Sequence, residues 1–287
     1  MDSLRKGKAV GSNLEKFFFQ MGVRVKMVEV APVASGWRRV DSRGEDLGVV
    51  LDIRRDKRGS FFEVRILTGT NHELLVLHAQ PSKKHLLLLS RQFDQAGQVQ
   101  AKQKFLCGQD EGHWFVAAIP EDEPVSTVAG AQVALKPAEV RLREEALGLR
   151  RKHGLRRRNA ASVRQGEWFF VPAKNIEADP LRVLRYEPLS RGNGSKPHWA
   201  EFCYRSGGKT VYVSVKYPRG LTSTEYDALP ESERKLGFRM MKRDALVYVR
   251  GEITHPDHKT ICLEGWHRVL MNTENRSMAL RFLAFLD

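Results

Sequence analysis

Cysteine is scarce in this sequence, long apolar runs are missing, and acids are too few to balance the bases. The three cysteines, Cys107, Cys203 and Cys262, are widely spaced and odd in number. Such a set forms neither a disulfide framework nor a CxxC zinc knuckle. The longest wholly apolar runs, such as Leu86 to Leu89, fall far short of the ~20 residues that cross a bilayer as a helix. The basic start of the chain (Arg5, Lys6, Lys8) is followed by no apolar segment of the kind a secretory leader carries. A protein of the reducing cytoplasm, without a membrane span, is the expectation.

The acid deficit is the strongest of these signals. Among 287 residues, 48 Lys and Arg face 34 Asp and Glu, a formal net charge of +14. A surplus of this size concerns partners rather than fold. Nucleic acid is the expected partner, because Lys and Arg release counterions when they neutralise its phosphates. Apolar residues make up 41% of the chain, enough to build a core, so disorder is excluded as the general state.

Short alternating segments dominate the first half. Val23 to Val30, Gly48 to Ile53, Phe61 to Leu67, Leu74 to His78, His85 to Leu89, Gln103 to Leu106 and Trp114 to Ile119 read as strands with the period of two. Asp56-Lys57-Arg58-Gly59 reads as a turn. Ahead of them, Ser12-Asn13-Leu14-Glu15 has the form of a capping box, with Gly22 as the stop of a short helix. Val125 to Leu135 turns helical, and Pro137 suits the first turn of a second helix running to His153. Beyond it, Ala200 to Tyr204 and Thr210 to Val215 flank Gly207-Gly208, a hairpin signal. Thr222 to Glu225 is a second cap-like start, Leu246 to Ile253 a strand, and Asn272 to Leu286 a last helix or strand.

These segments predict a β-rich α+β protein of two compact domains, with short, mostly antiparallel strands and a few helices. Residues 1–22 form a basic tail and short helix, and 23–122 a small sandwich or open barrel. Residues 123–158 form a helical, Arg-rich connector, and 159–287 a second α+β domain. Gly112-His113-Trp114-Phe115 and Gly166-Glu167-Trp168-Phe169 share a G-x-W-F core, too short to establish a repeat.

Between Arg141 and Gln165 lie nine basic residues and two acids, so this one segment holds half of the net charge. Eight of the nine are Arg, whose guanidinium fork grips phosphate. Arg150, Arg151, Lys152, Arg156, Arg157, Arg158 and Arg164 are the candidate phosphate contacts, with Trp168 as a stacking surface for bases. Arg191 and Lys196 extend the set from a loop whose Gly192 and Gly194 suit an anion cradle; that loop is not a P-loop. The same Arg-rich surface would serve a non-catalytic assembly module that docks an acidic protein.

The second concentration is His255-Pro256-Asp257-His258, followed by Cys262, Glu264 and His267. Imidazole, thiolate and carboxylate are ligands of zinc and related metals. His255, His258, Cys262 and His267 form the candidate ligand set for a divalent metal, Zn or Mg. The alternative function is therefore a metal-dependent nuclease or phosphodiesterase, with His258, His267 and Glu264 as catalytic groups. Asp257-His258, His267 and Asn272 or Asn275 resemble the order of residues in the His-Asn-His ββα-metal nucleases. In those enzymes one histidine activates water while other residues hold the metal. Their ordered glycine turn and asparagine-then-histidine helix are absent here. Thr254 to Trp266 resembles the threonine-histidine block of intein-type Hint domains, without the Cys or Ser start and His-Asn end of that family. Each resemblance covers only a short stretch of the chain, which is assigned to neither family.

Overall fold

The computed structural model describes residues 14–30, 49–190 and 196–276. They form a β-rich α+β protein built of mostly antiparallel sheets, as the alternating segments require. The Ser12 end of the expected capping box, Arg191, and the stretch beyond Arg276 lie outside the described residues. Two compact units emerge. The first runs to Arg141 and takes up the chain again at Asn272; the second contains Leu142–Met271. The expected connector, 123–158, is thus divided between them.

In the first unit, helix α1 (residues 14–20) places Leu14, Phe18 and Met21 on one face, at the i, i+4, i+7 spacing of a buried stripe. Gly22 ends it with φ +80; the Val23 and Gly22 amides bond the Phe18 and Phe19 carbonyls, a Schellman closure. Of the three adjacent phenylalanines, Phe18 is fully buried and Phe19 points outward. Strands β1 (Arg24–Val30), β2 (Val49–Asp56) and β3 (Gly59–Leu67) form one sheet, with β1 parallel to β3. Strands β4 (Asn71–Gln80), β5 (His85–Phe93), β6 (Val99–Asp110) and β7 (His113–Ile119) form an antiparallel meander. Phe62, Val64, Leu86, Leu88, Phe105 and Cys107 join the α1 side chains in one core. Leu87, Leu106 and Ile119 point the other way, onto helix α2 (Val128–Ala134). The unbroken Leu86–Leu89 run therefore reflects a strand covered on both faces.

Helix α3 (Ala138–Ala146) does not reach His153 as the sequence suggested. Gly148, at φ +60, ends it, with the Leu149 and Gly148 amides bonded to the Glu144 and Glu145 carbonyls. A separate turn, α4 (Arg151–Gly154), follows. After Met271 the chain enters the first unit. The buried Thr273 donates its hydroxyl to the Ala134 carbonyl (2.7 Å) and its amide to that of Leu135 (3.0 Å). It satisfies carbonyls at the α2 C-terminus, which have no partner within the helix.

The second unit holds a six-stranded antiparallel sheet. Its strands are β8 (Val163–Gln165), β9 (Trp168–Pro172), β10 (Val183–Leu189), β11 (His198–Ser206), β14 (Leu246–His255) and β15 (His258–Met271), in the order β10-β11-β14-β15-β9-β8. Trp168, Phe170, Leu189, Cys203, Val249, Ile253 and Leu263 fill its core. From β8, the Gln165 side-chain amide donates to the Lys259 (2.7 Å) and Ile253 (3.3 Å) carbonyls of β15 and β14.

One sequence reading is corrected here and one is met. Gly207-Gly208 does not close a hairpin. Both glycines take positive φ (72 and 80) and redirect the chain, so β12 (Lys209–Val213) pairs with β13 (Arg239–Arg243) instead of β11. The cap-like start at Thr222–Glu225 is present as a capping box opening helix α5 (Ser223–Asp227), and α6 (Glu231–Arg234) is a separate turn after Pro230.

The two G-x-W-F segments occupy different hairpin positions. Glu111 and Gly112 both have positive φ in the β6–β7 turn, whereas Gly166 is the first central residue of the β8–β9 turn. Trp114 and Trp168 are therefore one position out of step, and the segments are not equivalent.

Candidate functional site

The most concentrated chemistry in the described residues lies at one end of the second unit's sheet. β14 and β15 join through Pro256-Asp257, which sets His255 opposite His258. β11 pairs with β14 at Trp199↔Thr254 and Ala200↔Ile253, a register that continues to His198 beside His255. Directly opposed residues of neighbouring strands share a face. His198, His255 and His258 therefore make a lateral row across three adjacent strands. Ring centroids are 4.1 Å apart for His198–His255, 4.6 Å for His255–His258 and 5.5 Å for His198–His258. One ligand nitrogen from each ring lies within 4.8 Å of the other two.

The three rings differ in environment. His198 is 1% exposed, and neither of its ring nitrogens has a hydrogen-bond partner among the described residues. Burial, reinforced by the two neighbouring histidines, pushes its pKa down to about 3, so it is neutral at physiological pH. The Trp168 ring meets it edge to face at 6.3 Å. His255 is partly exposed. Its Nδ1 accepts from the Asp257 amide (3.0 Å), while its Nε2–H faces the Lys196 carbonyl (3.3 Å). Burial and then the neighbouring His258 lower its pKa, opposed by the hydrogen bond to the Lys196 backbone carbonyl and by the Asp257 and Glu167 carboxylates. The Lys196 ammonium grips both Asp257 carboxylate oxygens at 2.8 Å, tying the start of β11 to the histidine turn.

Gly166 completes the surround. A Cβ at this position would come within 2.9 Å of His258 Nε2 and 3.2 Å of His198 Nε2. The bare Cα, at φ +57, leaves that space open. Arg164 holds the turn by donating from Nη1 to the Gly166 carbonyl (3.0 Å).

Other members of the sequence-derived ligand and catalytic sets do not join this row. Cys262 is exposed and lies four residues beyond His258 on β15, roughly 13 Å along an extended strand. His267 is buried where β15 lies between Val249 of β14 and Pro172 of β9, and it donates from Nδ1 to the Gly265 carbonyl (3.0 Å). Its lowered pKa comes first from that burial. Glu264 is exposed near Gly265, also away from His258. His198 was outside the expected set because it lies far upstream of His255 in the chain. The signal that finds it is the β11–β14 register.

The basic segment is divided by the fold. Arg150, Arg151, Lys152, Arg156 and Arg158 are exposed on α4 and the loop after it. None of the five is ion-paired with a carboxylate of a described residue. Arg158 also donates to the Cys262 carbonyl (3.0 Å), which fixes that loop against β15. Arg157 and Arg164 are half-buried and engaged within the unit. Trp168 is 3% exposed and belongs to the core, so the expected stacking surface is not presented to a base. Lys196 is largely exposed but committed to Asp257.

No protein-family model, no curated protein and no solved structure matches this chain. Its own geometry carries the functional argument. Among the described residues, no helix is long and apolar enough to cross a membrane.

Proposed function

We propose that this chain is a nucleic-acid-binding protein that holds the phosphate backbone through the exposed bases of α4 and its following loop. The observation that carries this reading is the outward run Arg150, Arg151, Lys152, Arg156 and Arg158, with no described carboxylate to neutralise it. Four of these are arginines, which suit bidentate phosphate contact. Such contacts set affinity and orientation and carry no base sequence by themselves. With Trp168 in the core, stacking on this tryptophan plays no part. The natural setting is the cytoplasm, a reading supported by the three free cysteines, two of them buried.

The test is fluorescence anisotropy with labelled single-stranded and duplex oligonucleotides across a salt series. Wild-type affinity should fall linearly on a log–log plot, by roughly 0.9 per neutralised phosphate for duplex and 0.7 for a single strand. Arg150→Ala/Arg151→Ala/Lys152→Ala/Arg156→Ala should flatten that slope by about three to four units on duplex. These side chains are exposed, so circular dichroism should be unchanged. Oligonucleotide affinity that is absent in the wild type, or identical in the quadruple variant, overturns the reading. A pull-down of acidic proteins that survives nuclease treatment would instead favour the assembly module.

A further inference from the structure

We propose that His198, His255 and His258 bind one divalent transition-metal ion of the zinc class, with three protein ligands and a fourth position left for water or a small anion. The site stands independently of the nucleic-acid reading, because none of its three ligands belongs to the basic segment.

The first argument is the row itself. Three imidazoles on neighbouring strands bring one nitrogen each within 4.8 Å of the other two, a spacing that a single ion can bridge. The second is the state of His198. A buried polar group without a hydrogen bond is destabilising, and this ring leaves two nitrogens unpartnered among the described residues. An ion would take the lone pair of one of these nitrogens and so give the buried ring a partner.

The donor set selects the metal. It offers imidazole nitrogen, which suits zinc and its transition-metal neighbours, whereas Mg²⁺ and Ca²⁺ require oxygen ligands. Within the metal types named for this chain, zinc fits and magnesium does not. His255 carries the orientation typical of a ligand, its Nε2–H facing the Lys196 carbonyl. That leaves Nδ1 as the nitrogen to give, and metal capture exchanges the Asp257 amide for the ion. The Lys196–Asp257 ion pair keeps the two strands in place during this exchange.

The number of ligands sets the character of the site. Structural zinc is closed by four protein ligands, while three leave a coordination position for exchangeable chemistry. Among the described residues, three ligating side chains gather here. His255 and His258 are partly exposed, and the neighbouring position, 166, is a glycine. Solvent therefore has a route to the fourth position.

The full chain, stripped by a chelator and dialysed, is titrated with zinc chloride against a chromogenic competitor. One equivalent per chain is expected, with affinity falling roughly 100-fold or more in His255→Ala and in His258→Ala. Both residues lie beside the turn, so these variants carry the test even where His198→Ala fails to fold. Cys262→Ser should bind as the wild type does. Cobalt(II) in place of zinc reads the fourth position, since added azide should shift its visible absorption. The absence of a saturable equivalent, unchanged affinity in His258→Ala, or loss of binding in Cys262→Ser overturns the site. A cobalt spectrum unmoved by saturating azide overturns the open position.

Discussion

At Gly166 the backbone turns at φ +57 beside the nitrogens of two histidines, and the missing side chain matters twice over. A left-handed backbone conformation is unfavourable for residues with a Cβ by about 1 kcal/mol. A methyl group here would also meet His258 Nε2 at 2.9 Å. Gly166→Ala is therefore expected to lower unfolding free energy by about 1 kcal/mol or more and to weaken zinc binding. Urea denaturation of the metal-free protein and the zinc titration read the two effects separately. Unaltered values in both would show that position 166 leaves the row of imidazoles undisturbed. His198 is the complementary case, a side chain whose polar atoms the unit buries without supplying a described partner.

At the scale of elements, β14 carries a glycine bulge that shapes the sheet. Gly251 and Glu252 together face Glu201 of β11, and Gly251 takes φ +81. The Glu201 carboxylate accepts the Glu252 amide at 2.9 Å, so the extra residue leaves no amide stranded. A Cβ on Gly251 would run into that carboxylate. Gly251→Ala should cost about 1–3 kcal/mol, read as a lower urea midpoint at unchanged slope, and an unshifted midpoint would refute the bulge's role.

Elements of this kind explain what the sequence reveals and what it withholds. Alternation exposes most strands, because a half-buried strand writes its own period, as in Val23 to Val30. The Gly22 stop and the Thr222 capping box are local chemistry and can be read directly. Pairing is different, because glycine permits a turn without dictating where the chain goes next. Gly207-Gly208 consequently suggests a hairpin that the fold does not make. His255 and His258 are legible as a pair through their spacing. His198 enters only through a cross-strand register that no local pattern encodes.

At the scale of the whole molecule, the charge surplus and the packing of the two units are separate matters. The outward arginines of α4 contribute to the first without taking part in a core. Thr273 shows how far packing reaches along the chain, since its hydroxyl partner, Ala134, lies 139 residues earlier. Thr273→Val removes that buried donor and should destabilise the first unit by about 1–3 kcal/mol. Hydrogen exchange at the α2 amides would register it as lost protection, while the amides of β14 and β15 keep theirs. Equal losses in both places would contradict the assignment of Thr273 to the first unit.

The return of the chain at Asn272 also sets a timetable for synthesis. The segment that bonds the end of α2 leaves the ribosome only after the whole of Leu142–Met271 has been made. At roughly 5–20 residues per second, that is a wait on the order of ten seconds. The N-terminal half is thus born with its last piece still untranslated, while the strands of the second unit, β8 to β15, are made in that interval.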